Sequence, residues 1–149
     1  MMYMQVEQNV PIQTFVDTMF VLSLINTRDQ YHYQATVLAD QIEGTLLLTT
    51  DTVLLEIGNA LARSYKPEAV IIIEDFLSSN DVEVVRLTPE LFDKAWTLYK
   101  QYQDKAWGLV DCVSFIVMRE RNVHNAATFD QHFIQAGFRA LMRDIDLLG

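Results

Sequence analysis

The stretch GLVDCVSFIVMRERNVHNAATFD, residues 108–130, contains a helix-length apolar segment followed by a strand-length one. Apolar residues recur at helical spacing after Gly108, which predicts a helix over residues 110–121. The short run that follows predicts a strand over residues 126–129. Asp111 opens this helix, and Asp130 comes directly after this strand. A helix feeding a buried strand in this way is typical of an α/β fold.

The same alternation of short and helix-length apolar segments continues through the rest of the chain. The other predicted strands are residues 12–16, 45–49, 82–87 and 138–142, the last of them at an edge of the sheet. The other predicted helices are residues 18–26, 50–65, 67–77 and 88–103, and one that has Tyr31, Ala35, Leu38 and Ile42 on one face and ends at Gly44. Thr88 before Pro89 is a strong helix start, because threonine caps free N–H groups and proline suits the first helical turn. We therefore expect one α/β domain over residues 1–149, with a central parallel sheet flanked by helices and with residues 1–10 as an N-terminal extension.

The composition is that of a globular protein, with 50% hydrophobic and 21% charged residues. The single cysteine, Cys112, cannot form an internal disulfide, and the sequence has no Cys/His cluster with zinc-ligand spacing. The first residues lack the basic and apolar segments of a secretory signal. The longest nearly uncharged run, residues 12–25, is shorter than the roughly 20 apolar residues that a bilayer requires. We expect a cytoplasmic protein with no membrane span.

The net charge of −9 argues against a nucleic-acid partner, because proteins that bind phosphate usually carry a basic surface. The charge is unevenly distributed. Residues 1–85 contain three basic and twelve acidic residues, a net −9, whereas residues 86–149 contain eight of each. Divalent cations bound to a carboxylate cluster would neutralise it, so an anionic substrate is not excluded.

Four acidic residues occupy positions that are unusual for surface acids. Asp17 follows TFV and Asp130 follows ATF, at the carboxyl ends of two predicted strands, where parallel sheets place ligand sites. Glu56 interrupts the apolar run VLLEIG, and Asp111 has apolar neighbours on both sides. A cluster of buried carboxylates with few matching cations nearby in the sequence either stays protonated or binds a metal ion. Oxygen ligands without cysteine or histidine favour Mg²⁺ or Mn²⁺, and two such ions about 3.5–4 Å apart can promote phosphodiester hydrolysis.

Each acid also has a structural interpretation when it is taken alone. Asp17 could cap the helix that follows it, Asp111 could interact with a helix dipole, and Asp130 could cap the following turn. Glu56 could pair with Arg63. The order of the four acids and their positions at element ends favour a shared metal site over four separate structural roles.

The combination resembles the PIN domain family, and in particular its VapC-like toxins, over nearly the whole chain. The segments that carry the resemblance are FVDTMFVLSL, TTDTVLLEIGNAL, GLVDCVSFIVMRERN and ATFDQHFIQAGF. The resemblance implies that Asp17, Glu56, Asp111 and Asp130 are metal-binding catalytic residues. It also implies a Mg²⁺- or Mn²⁺-dependent endoribonuclease, the toxin of a toxin–antitoxin pair, with an RNA substrate, a cognate antitoxin and a homodimeric state.

The resemblance further assigns supporting polar roles to four residues: Thr18, Asn59, Ser114 and Thr128. Asn59 and Ser114 each follow an acid by three positions and so share a helical face with it, from where hydrogen bonds could orient the carboxylate. Met19 departs from the family, because many relatives have a small polar residue there.

Several residues invite functional interpretations that the sequence supports less well. Lys105 lies just before a predicted loop and is a candidate phosphate contact. Core packing is the favoured interpretation of His132 and Cys112, whereas the helical spacing of Trp96 and Tyr99 suits a core or a dimer surface.

Two other functions remain in competition with the nuclease. A PIN-like binding module with little or no catalytic activity would not need all four acids. A phosphatase of the haloacid dehalogenase type would require a second aspartate two residues after Asp17, where this chain has Met19.

Overall fold

The computed structural model describes residues 13–146, in which five strands form one sheet with helices packed around it. The strands are β1 (Thr14–Val16), β2 (Leu47–Thr50), β3 (Val82–Val85), β4 (Asn125–Ala127) and β5 (Arg139–Ala140). The helices are α1 (Thr18–Ile25), α2 (His32–Ile42), α3 (Asp51–Leu61), α4 (Lys66–Ser78), α5 (Pro89–Gln101), α6 (Leu109–Glu120) and α7 (Gln131–Gln135). The proposed extension of residues 1–10 and the predicted strand start at Ile12 lie outside the described residues. Within residues 13–146, no helix combines the length and apolar character needed to cross a membrane.

The sheet is entirely parallel and has the strand order β3-β2-β1-β4-β5. The chain builds outward from β1 to β3 and then crosses to the other side of β1 to add β4 and β5. The direction of building therefore reverses between β1 and β4, and a crevice forms outside the carboxyl ends of strands at such a point. The predicted α/β class with a central parallel sheet is confirmed.

The central strands are largely buried on both faces, because helices cover both sides of a parallel sheet. Phe15 in β1 is fully buried and pairs in register with Leu48 of β2 and Ala126 of β4. The ring of Phe133, in the short helix α7, is also buried and lies 5.0 Å from the ring of Phe115. Phe133 thereby fixes α7 against the core, directly beside the end of β4.

Side-chain caps determine where two helices begin. The Thr50 hydroxyl accepts a hydrogen bond from the N–H of Val53 at the start of α3, and Thr88 accepts one from Leu91 at the start of α5. Such caps contribute about 1 kcal/mol each. Gly44 follows α2 with φ of +77°, a left-handed conformation that glycine adopts without strain. The predicted helix start at Thr88 and helix end at Gly44 are confirmed.

The strands predicted over residues 45–49 and 126–129 are found at Leu47–Thr50 and Asn125–Ala127, and two other predicted strands are shorter by two residues or more. The strand expected over residues 82–87 ends at Val85, because the N–H of Leu87 donates to the carboxylate of Asp51 instead of to a neighbouring strand. The edge strand expected over residues 138–142 contains only Arg139–Ala140, after which Leu141–Asp144 forms a 3₁₀ helix. Met142 lies in this turn and is completely buried.

Candidate active site

Asp17 lies at the carboxyl end of β1 and is buried, with 6% of its surface exposed. It occupies the position before α1, but its side chain makes no capping hydrogen bond. Its Oδ2 instead accepts a 2.8 Å hydrogen bond from the hydroxyl of Thr128. Burial, with a smaller contribution from the nearby carboxylates of Asp111 and Asp130, raises the pKa of Asp17 to about 7 despite this hydrogen bond. A helix-capping role therefore does not describe Asp17.

Glu56 projects from the middle of α3 towards the start of α1. Its Oε1 accepts a 2.6 Å hydrogen bond from the hydroxyl of Thr18. Within residues 13–146, Glu56 forms no ion pair with Arg63, so the pairing suggested by the sequence is not present. Thr18 is the residue after Asp17, and its contact with Glu56 ties the first two acids to each other.

Asp111 serves both its helix and the cavity. Its Oδ2 accepts a 3.0 Å hydrogen bond from the N–H of Gly108, which satisfies a free donor at the start of α6. The same oxygen lies 3.1 Å from Nδ1 of His132. Burial raises the pKa of Asp111, and Asp130 adds to this effect, whereas Gly108 and His132 oppose it. Asp111 can therefore stabilise the N-terminus of α6 and still present a carboxylate to a metal ion in the cavity.

Asp130 follows β4 and also has two kinds of contact. Its Oδ1 accepts a 2.9 Å hydrogen bond from the N–H of His132, so the capping role considered from the sequence is present. Nδ1 of the same histidine lies 3.4 Å from this oxygen. The N–H of Asp130 donates to the Thr128 hydroxyl, which in turn donates to Asp17. One buried threonine therefore connects the acids at the ends of β1 and β4.

A single cavity of about 540 Å³ brings the predicted acids together. Its lining residues include the acids Asp17, Asp29, Glu56, Asp111 and Asp130, together with Thr18, Met19, Tyr31, Gly108 and His132. It opens at the carboxyl edge of the sheet, where β1 and β4 are neighbours. Asp29 was not expected here from the sequence, because it follows no strand and interrupts no apolar run.

His132 is the main residue whose position the sequence interpretation missed. Ligand atoms of Asp111, Asp130 and His132 all lie within 4.8 Å of one another, which is a spacing that a metal ion can bridge. The histidine side chain is partly exposed to the cavity and does not lie in the core. The available signal was its position two residues after Asp130, at the start of a helix that Phe133 anchors.

The chemistry of the donor set fits divalent cations. Within residues 13–146, none of the four predicted acids forms an ion pair with lysine or arginine. Clustered carboxylates without cationic partners repel one another and carry a desolvation penalty, as the raised pKa of Asp17 shows. Hard divalent cations such as Mg²⁺ and Mn²⁺ prefer carboxylate oxygens and would relieve both effects.

The predicted supporting residues divide into two groups. Thr18 and Thr128 contact the carboxylates of Glu56 and Asp17, respectively. The buried hydroxyl of Ser114 donates to the Val110 carbonyl of its own helix. Asn59 is exposed and lies outside the cavity lining. The structure therefore brings the two threonines to the acids but neither Ser114 nor Asn59.

Lys105 and Cys112 lie apart from the chemistry of this cavity. The ammonium of Lys105 lies 3.5 Å from the carboxylate of its neighbour Asp104 and lines a different cavity. Cys112 is buried, and this burial, together with the charge of Asp111, raises the pKa of its thiol to about 11. Such a thiol is a poor nucleophile, which agrees with a core cysteine.

Comparisons with known proteins agree with this architecture. Residues 14–139 match the PIN domain family. The chain is 32% identical over 124 residues to the 23S rRNA-specific endonuclease VapC20 of Mycobacterium tuberculosis, a match that covers 83% of this chain and 94% of that protein. The same endonuclease from a second strain of this organism matches equally well.

A solved structure shows the same fold. The crystal structure of M. tuberculosis VapC20, described as a sarcin-ricin loop cleaving toxin, superimposes with a TM-score of 0.77 and 31% sequence identity. The superposition covers 85% of this chain and 96% of that one. Sequence and structure thus point to the same relative.

Proposed function

Because the chain belongs to the PIN domain family, we propose that it is a divalent-metal-dependent endoribonuclease with Asp17, Glu56, Asp111 and Asp130 as its metal-binding catalytic residues. The observation that carries this proposal is their convergence on one cavity without lysine or arginine partners. The similarity to a 23S rRNA-specific endonuclease supports RNA as the substrate.

The chain's own residues orient the acids before a substrate arrives. The Thr128 hydroxyl holds Asp17, the Thr18 hydroxyl holds Glu56, and His132 lies between Asp111 and Asp130. Hydrogen bonds of this kind keep metal-binding groups in their productive orientation. Two Mg²⁺ or Mn²⁺ ions held by Asp17, Glu56, Asp111 and Asp130 would supply Lewis acidity for phosphodiester hydrolysis by the two-metal mechanism.

His132 bears on the choice of metal, because Mg²⁺ takes oxygen ligands, whereas a transition-metal ion such as Mn²⁺ accepts an imidazole nitrogen more readily. Mn²⁺ should therefore raise the melting temperature of the parent more than that of His132→Asn, while Mg²⁺ should stabilise both proteins similarly. Equal Mn²⁺ gains in a calorimetric comparison would remove His132 from the metal site.

The activity is tested by incubating the purified protein with 23S rRNA and with an isolated sarcin-ricin stem-loop, followed by primer extension to locate any cleavage. Cleavage should require Mg²⁺ or Mn²⁺. Asp130→Asn should lower the rate at least about 100-fold, because metal stabilisation of a transition state is worth several kcal/mol and 1.36 kcal/mol corresponds to tenfold. Asp40→Asn, at an exposed acid outside the cavity, is the control and should cleave normally. Tight RNA binding without cleavage would instead identify a binding module.

An antitoxin partner is supported by a second surface of the protein. A cavity of about 300 Å³ has apolar lining from Phe20, Ile42 and Phe76, with Glu43 and Asp75 among its acidic lining residues. An amphipathic segment with basic flanks would match this combination of apolar floor and acidic edge. We assign this surface to the cognate antitoxin of a toxin–antitoxin pair.

The toxin role and the homodimer have their own tests. Expression of the chain alone should arrest growth, and co-expression of a small DNA-binding protein from a neighbouring gene should restore it. Normal growth on expression of active enzyme would contradict the toxin role. Sedimentation equilibrium of the purified protein tests the dimer, and a monomer at all concentrations would contradict it.

A further inference from the structure

A second cavity is built from aromatic and basic side chains. It has a volume of about 360 Å³, and its lining includes Trp96, Tyr99, Tyr102 and Trp107 with Lys100 and Lys105. The first three aromatic residues and Lys100 come from α5 or the residue after it, and the others come from the loop before α6. The proposed catalytic chemistry uses none of these rings.

Three aromatic rings of this cavity, those of Trp96, Tyr99 and Tyr102, are open to solvent, whereas Trp107 is buried and forms its inner side. Trp96 is 42% exposed and Tyr99 is 41% exposed, so neither belongs to the core. Their rings stack on each other with centroids 5.6 Å apart, and the ammonium of Lys100 lies 5.7 Å from the Trp96 ring. A contiguous exposed apolar patch is typical of an interaction site, whereas singly scattered exposed apolar residues are normal.

The two cavities share a wall. Lys105 and Trp107 line the aromatic cavity, whereas Ala106 and Gly108 line the carboxylate cavity. Consecutive Cα atoms are only about 3.8 Å apart, so the loop before α6 separates the cavities by little more than its own width. The Trp107 indole N–H donates to Gln135, which holds this wall against α7.

We propose that the aromatic cavity is a nucleobase-binding subsite for single-stranded RNA, located next to the bond that is cleaved. This proposal rests on RNA being the substrate. Aromatic rings stack on any base, and adjacent lysines attract the phosphates that connect the bases. Lys100 therefore offers positive charge beside the aromatic rings in a chain whose net charge of −9 otherwise repels RNA. Lys105 adds to this charge if its ammonium leaves the carboxylate of Asp104, 3.5 Å away, for a phosphate. The subsite would position a nucleotide that flanks the scissile phosphate.

The chain provides its own probe for this subsite. It contains two tryptophans, and both line the aromatic cavity. Titration with a short single-stranded oligoribonucleotide, at low ionic strength and with EDTA to prevent cleavage, should quench their fluorescence. Anisotropy of a labelled oligonucleotide gives the affinity independently of the tryptophans.

Three variants test the contacts. Trp96→Leu and Tyr99→Leu should each weaken the affinity roughly 5- to 150-fold, the range expected for loss of one stacked base. Phe92→Leu is the matched control, because Phe92 lies on the same helix, is 42% exposed and does not line the cavity. The affinity of Phe92→Leu for the oligoribonucleotide should equal that of the parent.

The outcomes separate this proposal from the proposed function. If the parent cleaves RNA but Trp96→Leu and Tyr99→Leu bind and cleave like Phe92→Leu, the subsite is wrong and the nuclease stands. If RNA quenches the fluorescence and the two variants lose affinity while no cleavage occurs, the subsite stands and the nuclease fails. Conversion of a dimer to a monomer by Trp96→Leu, with unchanged RNA affinity, would assign the cavity to a second copy of the chain and overturn the proposal.

Discussion

Replacing Asp17 by asparagine should stabilise the metal-free protein at neutral and alkaline pH. Burial raises the pKa of this carboxyl from 3.8 to about 7, so ionisation is less favourable in the folded than in the unfolded protein. Each pH unit of such a shift corresponds to 1.36 kcal/mol, which sets an upper limit of roughly 4 kcal/mol. Asparagine carries no charge and can still accept the hydrogen bond from Thr128.

The sign of the effect determines its pH window. Between about pH 4 and pH 7 the folded parent holds a proton at Asp17 that the unfolded chain releases, so the free energy of unfolding falls as the pH rises. Above about pH 7 the penalty is complete and constant. Asp17→Asn should lack this decline, and the two proteins should differ least near pH 4. At 2–4 °C for each kcal/mol, the limiting difference in melting temperature is roughly 10 °C.

Divalent ions should reverse the ranking of stability. A ligand at 100 times its dissociation constant stabilises the folded protein by about 2.7 kcal/mol, and only the parent keeps the full set of carboxylates to bind it. The assay is thermal unfolding from pH 4.5 to 8.5 with EDTA and with Mg²⁺ or Mn²⁺, with Asp93→Asn as an exposed control. Identical pH profiles for parent and Asp17→Asn would refute the burial argument, and an unchanged metal-induced gain would exclude Asp17 as a ligand.

Three further predictions follow from individual contacts. Thr128→Val should weaken Mn²⁺ binding about 10- to 100-fold in calorimetric titrations, because Asp17 loses its orienting donor, whereas Thr128→Ser should bind normally; equal affinities would refute the orienting role. Lys105→Glu should weaken RNA cleavage, more so at low salt, and leave antitoxin affinity nearly intact. Reversing Glu74 and Asp75 to lysine should weaken antitoxin binding and leave RNA cleavage nearly intact. Equal losses of both activities in either protein would show that RNA and antitoxin do not use separate surfaces. Cys112 should resist iodoacetamide at pH 8 in the folded protein, because its thiol pKa is raised to about 11 and the residue is buried; rapid modification without unfolding would contradict this.

The elements of the fold were predictable where local patterns determine them. Helical periodicity and the capping residue Thr88 predicted α5, and Gly44 predicted the end of α2, where the structure has a positive φ. The edge strand was predicted too long. Met142 is buried in a turn, and the sequence pattern of a buried turn residue looks the same as that of a buried strand residue. The strand over residues 82–87 was likewise shortened by a contact with Asp51, which is 36 positions away from Leu87.

The supporting residues show why spacing along a helix is a weak guide to contact. Asn59 and Ser114 each follow an acid by three positions, but three residues in a helix of 3.6 residues per turn leave side chains about 60° apart. At Asn59 this rotation coincides with exposure to solvent. Ser114 bonds to a carbonyl of its own helix, as serine within helices often does. The threonine contacts depend instead on strand ends meeting at one edge, and Thr128 lies 111 positions from Asp17.

The arrangement that concentrates the acids also opposes folding of the metal-free chain. Asp17 and Asp130 end neighbouring strands, so the topology of the sheet brings their charges together before any substrate or ion arrives. Without metal, the protein should be more stable if this position carried no charge, and this is why we expect Asp17→Asn to stabilise it. Among residues 13–146 these carboxylates have no lysine or arginine partner, and a bound ligand that compensates their charge would explain why they cluster at a topological switch point. Anionic RNA would not compensate them directly, whereas divalent cations held by the acids would. We therefore expect stability in EDTA and cleavage in Mg²⁺ or Mn²⁺ to respond to Asp17→Asn in opposite directions.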